Sequence, residues 1–350
     1  MVEQILNLRI VSKIQETTDA VSFLLEDTAG REIIYKPGQF LTLIFNRGQR
    51  EIRRSYSISS PPGNNRIVRI TVKRVHNGEV SRLLLDQYHT GDILKAAQPA
   101  GMFVQDGKDD IERDIFFLVA GSGISPVLSL LTDFLYNTAK TSLVLVYQNH
   151  TIKDTIFRPE LDKVAKDFAD RFKWYDFVSN PETGMHLSGR LNNEILEALI
   201  PSATKYHPAG SIFYLCGPSS FMRMCQFTVL RMGYEETQIK KEYFVINTPP
   251  PAPLIVNPAE RVVHLEGLAD KITFTTMYPK TILESALEQG IALPYSCRGG
   301  RCSTCVAKCT RGEVVMSMND VLTKADIEKG LILTCVGYAV SDIALTYRQE

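Results

Sequence analysis

The cysteines of this chain are concentrated in its last sixty residues, in a pattern suited to holding metal. Three of the seven lie in the nine-residue stretch CRGGRCSTC, as Cys297, Cys302 and Cys305, and a fourth candidate, Cys335, follows in GLILTCVGY. An odd number of cysteines, five of them after residue 296, is a poor layout for a disulfide framework. The pattern instead indicates a thiolate-bound metal centre in a reducing compartment.

The spacing C-x4-C-x2-C, followed by a distant cysteine, is that of plant-type [2Fe–2S] centres. Such a loop must wrap closely around two irons and point backbone N–H groups at sulfur, and we expect Gly299 and Gly300 to supply the backbone freedom. Structural zinc is the alternative, although zinc usually draws its thiolates from two short pairs. Cys309, four residues beyond Cys305 on an apparent strand, is predicted to be a small buried side chain.

A second motif, RRSYSISS, contains the pattern R-x-Y-S at Arg54, Ser55, Tyr56 and Ser57. It resembles the flavin signature of the ferredoxin–NADP reductase superfamily. The resemblance implies that the arginine meets the flavin pyrophosphate, that the tyrosine packs near the isoalloxazine ring and that Ser57 hydrogen-bonds its reactive end. The alternative is an ordinary amphipathic strand with outward hydroxyls.

Two later stretches, at family-like distances, support the flavin interpretation. ITVKR follows the R-x-Y-S motif, and GEVS stands where the family places a helix start whose N–H groups bind phosphate. The resemblance therefore adds five predicted cofactor-binding residues, which are Thr71, Lys73, Gly78, Val80 and Ser81.

A third set of motifs is typical of pyridine-nucleotide sites. VAGSGISPVLSLL places G-x-G-x-x-P between an apolar strand and a helix, where phosphates can approach the N–H groups of the helix N-terminus. YLCGPSSFM and EYF resemble later motifs of the same superfamily, in which the cysteine lies beside the nicotinamide carbon that gives up hydride. The alternative for that cysteine is a buried core thiol. The predicted nucleotide-site residues are Gly121, Gly123, Pro126, Cys216, Gly217, Pro218, Glu242 and Phe244, and the predicted catalytic residues are Tyr56, Ser57 and Cys216.

These motifs are expected to lie in more than one domain, because 350 residues exceed what one hydrophobic core usually serves. Short apolar runs over residues 1–108 predict an antiparallel β-barrel, whereas strands alternating with helices over 109–247 predict a doubly wound parallel α/β sheet. Residues 248–260 carry five prolines and predict a semi-extended linker. Residues 261–350 resemble α+β ferredoxins of the β-grasp type, with a helix predicted from Thr281 to about Gln289.

Together the modules resemble the reductase components of multicomponent oxygenases, such as the phenylacetyl-CoA epoxidase and ketosteroid hydroxylase reductases. The resemblance implies FAD rather than FMN, a [2Fe–2S] cluster, and hydride from NAD(P)H passed on as single electrons to an oxygenase or hydroxylase partner.

Lys plus Arg and Asp plus Glu both number 39, which gives no sign of nucleic-acid binding. No stretch approaches the ~18 apolar residues of a membrane span, and a cytoplasmic protein is expected.

The choice of coenzyme depends on the end of the second parallel strand, YQNHTIKD. It carries no carboxylate before Asp154, whereas His150, Lys153 and Arg158 could meet a 2′-phosphate, which favours NADPH over NADH. The alternative is that these are solvated loop charges.

Two other functions stay open at this stage. The chain could be a standalone diaphorase that reduces quinones or soluble carriers, or a non-catalytic redox sensor. The intact hydride-transfer motifs argue against the sensor.

Overall fold

The N-terminal sheet is antiparallel and rolls into a barrel. The computed structural model describes residues 4–347, apart from 49, 62, 64–65, 106–109, 181–186, 245–250, 254–258 and 267–271. The elements of this domain are β1 (Ile5–Thr17), β2 (Ala20–Asp27), β3 (Phe40–Arg47), β4 (Arg50–Ser57), β5 (Ile67–Lys73), α1 (Glu79–Gln87) and β6 (Ile93–Ala97). The strands pair in the order β4-β3-β6-β1-β2-β5, and a bridge between Ile58 and Ile70 joins the two ends.

Alternating side chains build the barrel core. On β1, Leu8 and Ile10 are fully buried while Arg9 between them is exposed, and on β2 Phe23 and Leu25 are also fully buried. This period of two is what a sheet with one solvated face requires. The predicted antiparallel barrel is confirmed.

The central domain is a parallel sheet covered on both faces. Its elements are β7 (Arg113–Ala120), α2 (Ile124–Asn137), β8 (Thr141–Asn149), α3 (Arg158–Asp167), β9 (Phe172–Val178), β10 (Leu187–Ser188), α4 (Asn193–Ala203), β11 (Ile212–Cys216), α5 (Ser219–Arg231) and β12 (Ile239–Glu242). Successive residues of β7 enter opposite cores, since Ile115 and Phe117 pack in one cluster and Phe116 and Leu118 in the other. Burial on both faces explains the continuous apolar strands, and it confirms the predicted doubly wound sheet.

The order of the parallel strands, β10-β9-β8-β7-β11-β12, reverses direction between β7 and β11. The loops that follow these two strands therefore leave toward opposite faces and open a crevice at their carboxyl ends. Gly121 follows β7 and Gly217 follows β11, so the two glycine motifs of the sequence meet at this crevice.

The C-terminal domain combines a mixed sheet with short helices. Its elements are β13 (Arg261–Glu266), β14 (Ile272–Thr276), α6 (Ile282–Glu288), β15 (Val306–Arg311), β16 (Val314–Met316), α7 (Lys324–Glu328), β17 (Leu331–Leu333), β18 (Gly337–Ala339) and β19 (Ile343–Thr346). The larger sheet has the order β14-β13-β19-β15-β17, with β13 and β19 parallel, and β16 pairs with β18. The ferredoxin-like α+β fold is confirmed.

Helix α6 begins and ends where its capping residues predict. The Thr281 hydroxyl accepts a hydrogen bond from the N–H of Glu284, and the Glu284 carboxylate accepts one from the N–H of Thr281, which is a capping box. Gly290, at φ +75°, follows the last turn. The predicted helix is confirmed.

Cys309 is only partly buried, so the prediction of a buried thiol is wrong in degree. Strand β15 bulges between Cys309 and Arg311, and this irregularity turns the end of the strand away from the core. The Cys309 thiol donates to the carbonyl of Arg311 instead, at 3.3 Å.

The predicted linker 248–260 lies largely outside the described residues, since only 251–253 and 259–260 of it are described. Pro251 and Ala252 are exposed there. Among the helices that the structure describes, none is both long and apolar enough to cross a bilayer.

Gly123 is the position where α2 comes against the end of β11. A Cβ atom at Gly123 would lie 2.3 Å from the carbonyl oxygen of Cys216, and backbone cannot move aside as a flexible side chain can. We expect Gly123→Ala to force the strand and helix apart, lowering the free energy of unfolding by roughly 1–3 kcal/mol. Ser122→Ala, one residue earlier, is the matched control. Denaturant unfolding followed by the fluorescence of Trp174 measures both, and equal stability of the two variants would contradict the packing argument.

Candidate electron-transfer site

The cysteine-rich loop lies between α6 and β15 and is joined by the segment that carries Cys335. Cys305 and Cys335 are 2% and 6% exposed, whereas Cys297 and Cys302 are partly exposed. The N–H of Cys297 points at the sulfur of Cys302, and the N–H of Gly299 points at the sulfur of Cys297, both at 3.4 Å. These are the N–H···S contacts that offset negative charge on thiolates.

The four thiols touch one another in a chain. Cys302 contacts Cys297, Cys297 contacts Cys335, and Cys335 contacts Cys305. Hydrogen bonds from Cys302 and Cys335 lower the pKa of Cys297 well below its ordinary value. Four neighbouring cysteine sulfurs fit a two-iron cluster, since that cluster is bound by four cysteines.

The backbone of the loop takes the left-handed conformation at three residues. Gly300, at φ +72°, supplies the predicted backbone freedom, and the role of Gly299 stays a prediction. Arg298 and Ser303, at φ +54° and +57°, take the same conformation although neither is glycine. Gly300 is also confined by packing, because a Cβ there would lie 2.9 Å from the carbonyl of Met318.

The R-x-Y-S residues lie on β4, the last strand of the barrel sheet. Arg54 and Ser55 are exposed, Tyr56 is partly buried and Ser57 is buried. Burial raises the pKa of Tyr56 well above its ordinary value, so its phenol stays protonated. An exposed arginine beside a half-buried ring on an edge strand can take the phosphate and the ring of a flavin.

Two of the other predicted flavin residues, Thr71 and Lys73, have partners within the barrel domain. The Thr71 hydroxyl lies 2.8 Å from that of Ser22 inside the barrel, and Lys73 pairs with Asp19 at 3.5 Å, so both side chains are held by barrel partners. Their role as flavin ligands stays a prediction.

The start of α1 is shaped by close packing. A Cβ on Gly78 would lie 2.5 Å from the Ser81 hydroxyl, which itself accepts a hydrogen bond from the N–H of Val75. Val80 and Ser81 are buried. The exposed part of this helix start is therefore its backbone, which is the part that binds phosphate in the prediction.

Ser57, Glu242 and Cys216 come together where the barrel meets the parallel sheet. Cys216 and Glu242 are register partners at the ends of β11 and β12, and the Ser57 hydroxyl donates to Glu242 Oε2 at 3.2 Å. Cys216 is fully buried, and burial, followed by the nearby Glu242, raises its pKa well above the ordinary value. The sequence predicts the three residues separately, and the fold makes them one site.

Burial also controls the charge of Glu242. It raises the pKa of this carboxyl to about 8, and the hydrogen bond from Ser57 lowers it only in part. Near neutral pH the carboxyl is therefore protonated and can exchange a proton or a hydrogen bond with Ser57.

The remaining predicted nucleotide residues surround the crevice. Gly121 is left-handed at φ +54° with open space beside it, whereas a Cβ atom on Gly217 would lie 3.1 Å from the Ala120 side chain. Pro126 is buried in the first turn of α2, Pro218 caps α5, and Phe244 is 44% exposed just beyond β12.

At the loop predicted to select the coenzyme, Arg158 binds Asp176 of β9 at 2.7 Å, and the Asp154 carboxylate caps Thr151. His150 and Lys153 are exposed at the end of β8. Contact of these residues with a 2′-phosphate stays a prediction.

Sequence reasoning missed the residues that join the cysteine loop to β4. Tyr295 and Ser296 contact Glu51, Arg53 and Ser55 across about 240 positions of sequence. No local pattern marks such a contact. The one visible signal is the aromatic residue Tyr295, two residues before Cys297.

An antiparallel barrel whose edge serine meets a buried carboxyl and thiol, beside a ferredoxin fold with four converging thiols, defines an NAD(P)H-dependent electron-transfer flavoprotein. Residues 6–104 match the model of an oxidoreductase FAD-binding domain, 117–226 that of an oxidoreductase NAD-binding domain, and 264–340 that of a 2Fe-2S iron-sulfur cluster binding domain. The chain belongs to the family of three-domain reductase components of oxygenases, and it is an oxidoreductase.

The alignments with its relatives cover nearly the full length of both proteins. It is 32% identical to the ferredoxin reductase component of 3-ketosteroid-9-alpha-monooxygenase from Mycolicibacterium smegmatis, over 98% of this chain and 97% of that protein. It is 28% identical to a component of the 1,2-phenylacetyl-CoA epoxidase of Escherichia coli, over 96% of each. Phthalate dioxygenase reductase shares the fold, with a TM-score of 0.59, 23% identity and 98% coverage of both chains.

Glu242 should make stability depend on pH. Its pKa rises from 4.5 to about 8 on folding, so the folded protein binds this proton more tightly than the unfolded chain. The contribution of Glu242 is therefore full below pH 4.5 and declines as pH rises toward about 8, by at most ~1.4 kcal/mol per pH unit. Glu242→Gln should flatten that decline, whereas the exposed Glu236→Gln should not. Unfolding of flavin-free protein, followed by Trp174, measures the slopes, and parallel slopes for wild type and Glu242→Gln would refute the assignment.

Ser303 tests the strain in the cysteine loop. A left-handed L-residue is disfavoured by roughly 1–2 kcal/mol relative to glycine, and a β-branched residue is worse. We expect Ser303→Gly to keep the cluster with equal or slightly higher thermal stability, and Ser303→Val to lose iron. Visible absorbance and iron content per chain measure retention, and a valine variant that holds iron as well as the glycine variant would show that the backbone is not strained.

Proposed function

We propose that this protein takes hydride from NAD(P)H onto FAD and passes single electrons through its [2Fe–2S] cluster to an oxygenase or hydroxylase. The observation that carries the proposal is the hydrogen bond of Ser57 on the barrel to Glu242 on the parallel sheet, with Cys216 beside it. A flavin held by β4 would face the nicotinamide at this junction. The cysteine loop contacts the same strand through Ser296, whose hydroxyl lies 2.6 Å from that of Ser55.

When bound, the flavin accepts two electrons with a proton and releases them singly, and the cluster carries one at a time. The protein residues position and tune these groups. Arg54 is assigned to the pyrophosphate, Tyr56 to the ring, and Ser57 to its reactive end. Glu242, protonated near neutral pH, holds a proton within hydrogen-bond reach of Ser57, and buried Cys216 closes the nicotinamide side against water.

The acceptor is inferred from the relatives, whose names describe reductase components of monooxygenases and of an epoxidase. A surface containing the partly exposed Cys297 and Cys302 is the exit for electrons. The thiols, all free in the structure, suit a reducing compartment, and we infer a cytoplasmic location. We assign the domains to residues 1–108, 109–247 and 261–350, with the linker at 248–260.

Anaerobic reduction by NADPH tests the proposal. We expect flavin absorbance to bleach first and the cluster signal to follow. Cys302→Ser should retain flavin reduction and ferricyanide turnover but lose reduction of a one-electron protein acceptor. Equal quinone reduction with and without the cluster would favour the diaphorase instead, and an absence of any turnover would favour the sensor.

Coenzyme choice has its own test. We infer a preference for NADPH, since Asp154 is occupied as a cap while His150 and Lys153 lie on the surface. Lys153→Gln should lower the ratio of kcat/KM for NADPH over NADH by about tenfold, as expected for one charged hydrogen bond. Lys163→Gln, on the exposed face of α3, is the control, and an unchanged ratio in Lys153→Gln would remove Lys153 from the site.

A further inference from the structure

Tyr295, two residues ahead of the first cluster cysteine, is clamped between two arginines from different domains. The guanidinium carbon of Arg53, on β4, lies 4.0 Å from the centre of the Tyr295 ring, and that of Arg298 lies 4.5 Å from it. Guanidinium groups within about 6 Å of an aromatic ring are attracted by its quadrupole, most strongly where water is excluded. Tyr295 is only 7% exposed.

Hydrogen bonds fix the orientation of the clamp. The Tyr295 hydroxyl donates to Glu51 Oε1 at 2.8 Å, and Arg53 Nε donates to the same oxygen at 2.7 Å. Arg53 Nη1 also donates to the backbone carbonyl of Tyr295 at 3.1 Å. Burial raises the pKa of Glu51, but the bonds from Arg53 and Tyr295 outweigh it, so the carboxylate stays charged.

The clamp differs from an ordinary surface ion pair in its burial. The Arg53 side chain is 8% exposed and its partner Glu51 is 39% exposed, whereas in the Arg9–Glu26 pair elsewhere on the barrel the arginine is 50% and the glutamate 39% exposed. Exposed pairs contribute little, but charge-assisted hydrogen bonds from desolvated groups are considerably stronger. The clamp, which consists of Glu51, Arg53, Tyr295 and Arg298, therefore stabilises the contact between the ferredoxin domain and the barrel.

The position of the clamp connects it to electron transfer. On β4, Arg53 and Ser55 share one face toward the cysteine loop, while Arg54 and Tyr56 alternate with them. On the other side of the loop, the guanidinium of Arg301 lies 5.7 Å from the ring of Tyr243, next to Glu242. The loop is thus seated against both domains beside the proposed flavin site.

We propose that Tyr295, held by Arg53 and Glu51, is a positioning residue for electron transfer from the flavin to the cluster. It keeps the Cys297 loop seated on the strand that carries the flavin motif, and it is not among the residues assigned above to hydride transfer. Each hydride accepted by a bound flavin would supply two electrons, which would pass to the cluster one at a time, and its proton would be released to solvent. The proposal rests on the proposed function above and adds the residues that set its second step.

Arg53→Gln is the primary variant, because Arg53 lies outside the ferredoxin core and outside the flavin motif. Tyr295→Phe, which removes only the bond to Glu51, is the second. Arg9→Gln, in the exposed pair of the same barrel, and Tyr278→Phe, on the ferredoxin domain beside Tyr338, are the matched controls. All are measured as full-length protein containing flavin and cluster.

Stopped-flow absorbance separates the two steps, and small-angle X-ray scattering reports whether the domains stay together. We expect flavin reduction by NADPH to stay within twofold of wild type in every variant. Cluster reduction should slow about tenfold or more in Arg53→Gln and less in Tyr295→Phe, as the lost contacts imply. The radius of gyration should rise in Arg53→Gln and not in the controls.

Each outcome bears on one claim. Wild-type rates of cluster reduction and unchanged scattering in both clamp variants would overturn the positioning role. Slow cluster reduction in the controls as well would overturn it too, since any loss of surface charge would then suffice. Failure of both NADPH and NADH to reduce the flavin of wild-type protein would instead contradict the proposed function and leave the scattering comparison as the test of the clamp.

Discussion

A single edge strand, Arg50–Ser57, makes contact with both of the other domains. Its last residue donates a hydrogen bond to Glu242 of the parallel sheet, and its middle residues hold Tyr295 and Ser296 of the ferredoxin domain. Only a strand at the margin of a sheet can do this, because an inner strand is covered by neighbours on both sides. The rest of the molecule is arranged around that margin, since electrons can pass only between groups that are held close together.

Two carboxyls at the junction differ in burial and in partners. Burial dominates at Glu242 and keeps its carboxyl protonated near neutral pH, because it raises the pKa to about 8. Glu51 is 39% exposed, and hydrogen bonds from Arg53 and Tyr295 outweigh its partial desolvation and lower its pKa, so it stays charged. The buried carboxyl therefore suits proton transfer, and the exposed one suits attachment of the ferredoxin domain.

Much of the architecture could be predicted from short-range signals. Cysteine spacing and the change from short strands to strand–helix alternation are both local, and the fold classes of all three domains followed from them. The pairing of Cys216 with Glu242 and the bond from Ser57 depend on register and on domain packing, which no motif encodes. The left-handed residues of the cysteine loop show the same limit. Glycine shows where backbone freedom is available, but the path of the loop decides that Ser303 and Arg298 take the left-handed conformation as well.

The ferredoxin sheet has a consequence for biosynthesis. Its first strand, β13, pairs with β14 and with β19, which is the last strand of the domain to leave the ribosome, and β19 lies at the centre of the sheet. Until β19 is made, the central strand that pairs with both β13 and β15 is missing from the sheet. The barrel and the parallel sheet can already have folded by then. The cluster-binding sheet therefore closes only when its last strand is available, at a time when its flavin-binding neighbour can already be in place to receive it.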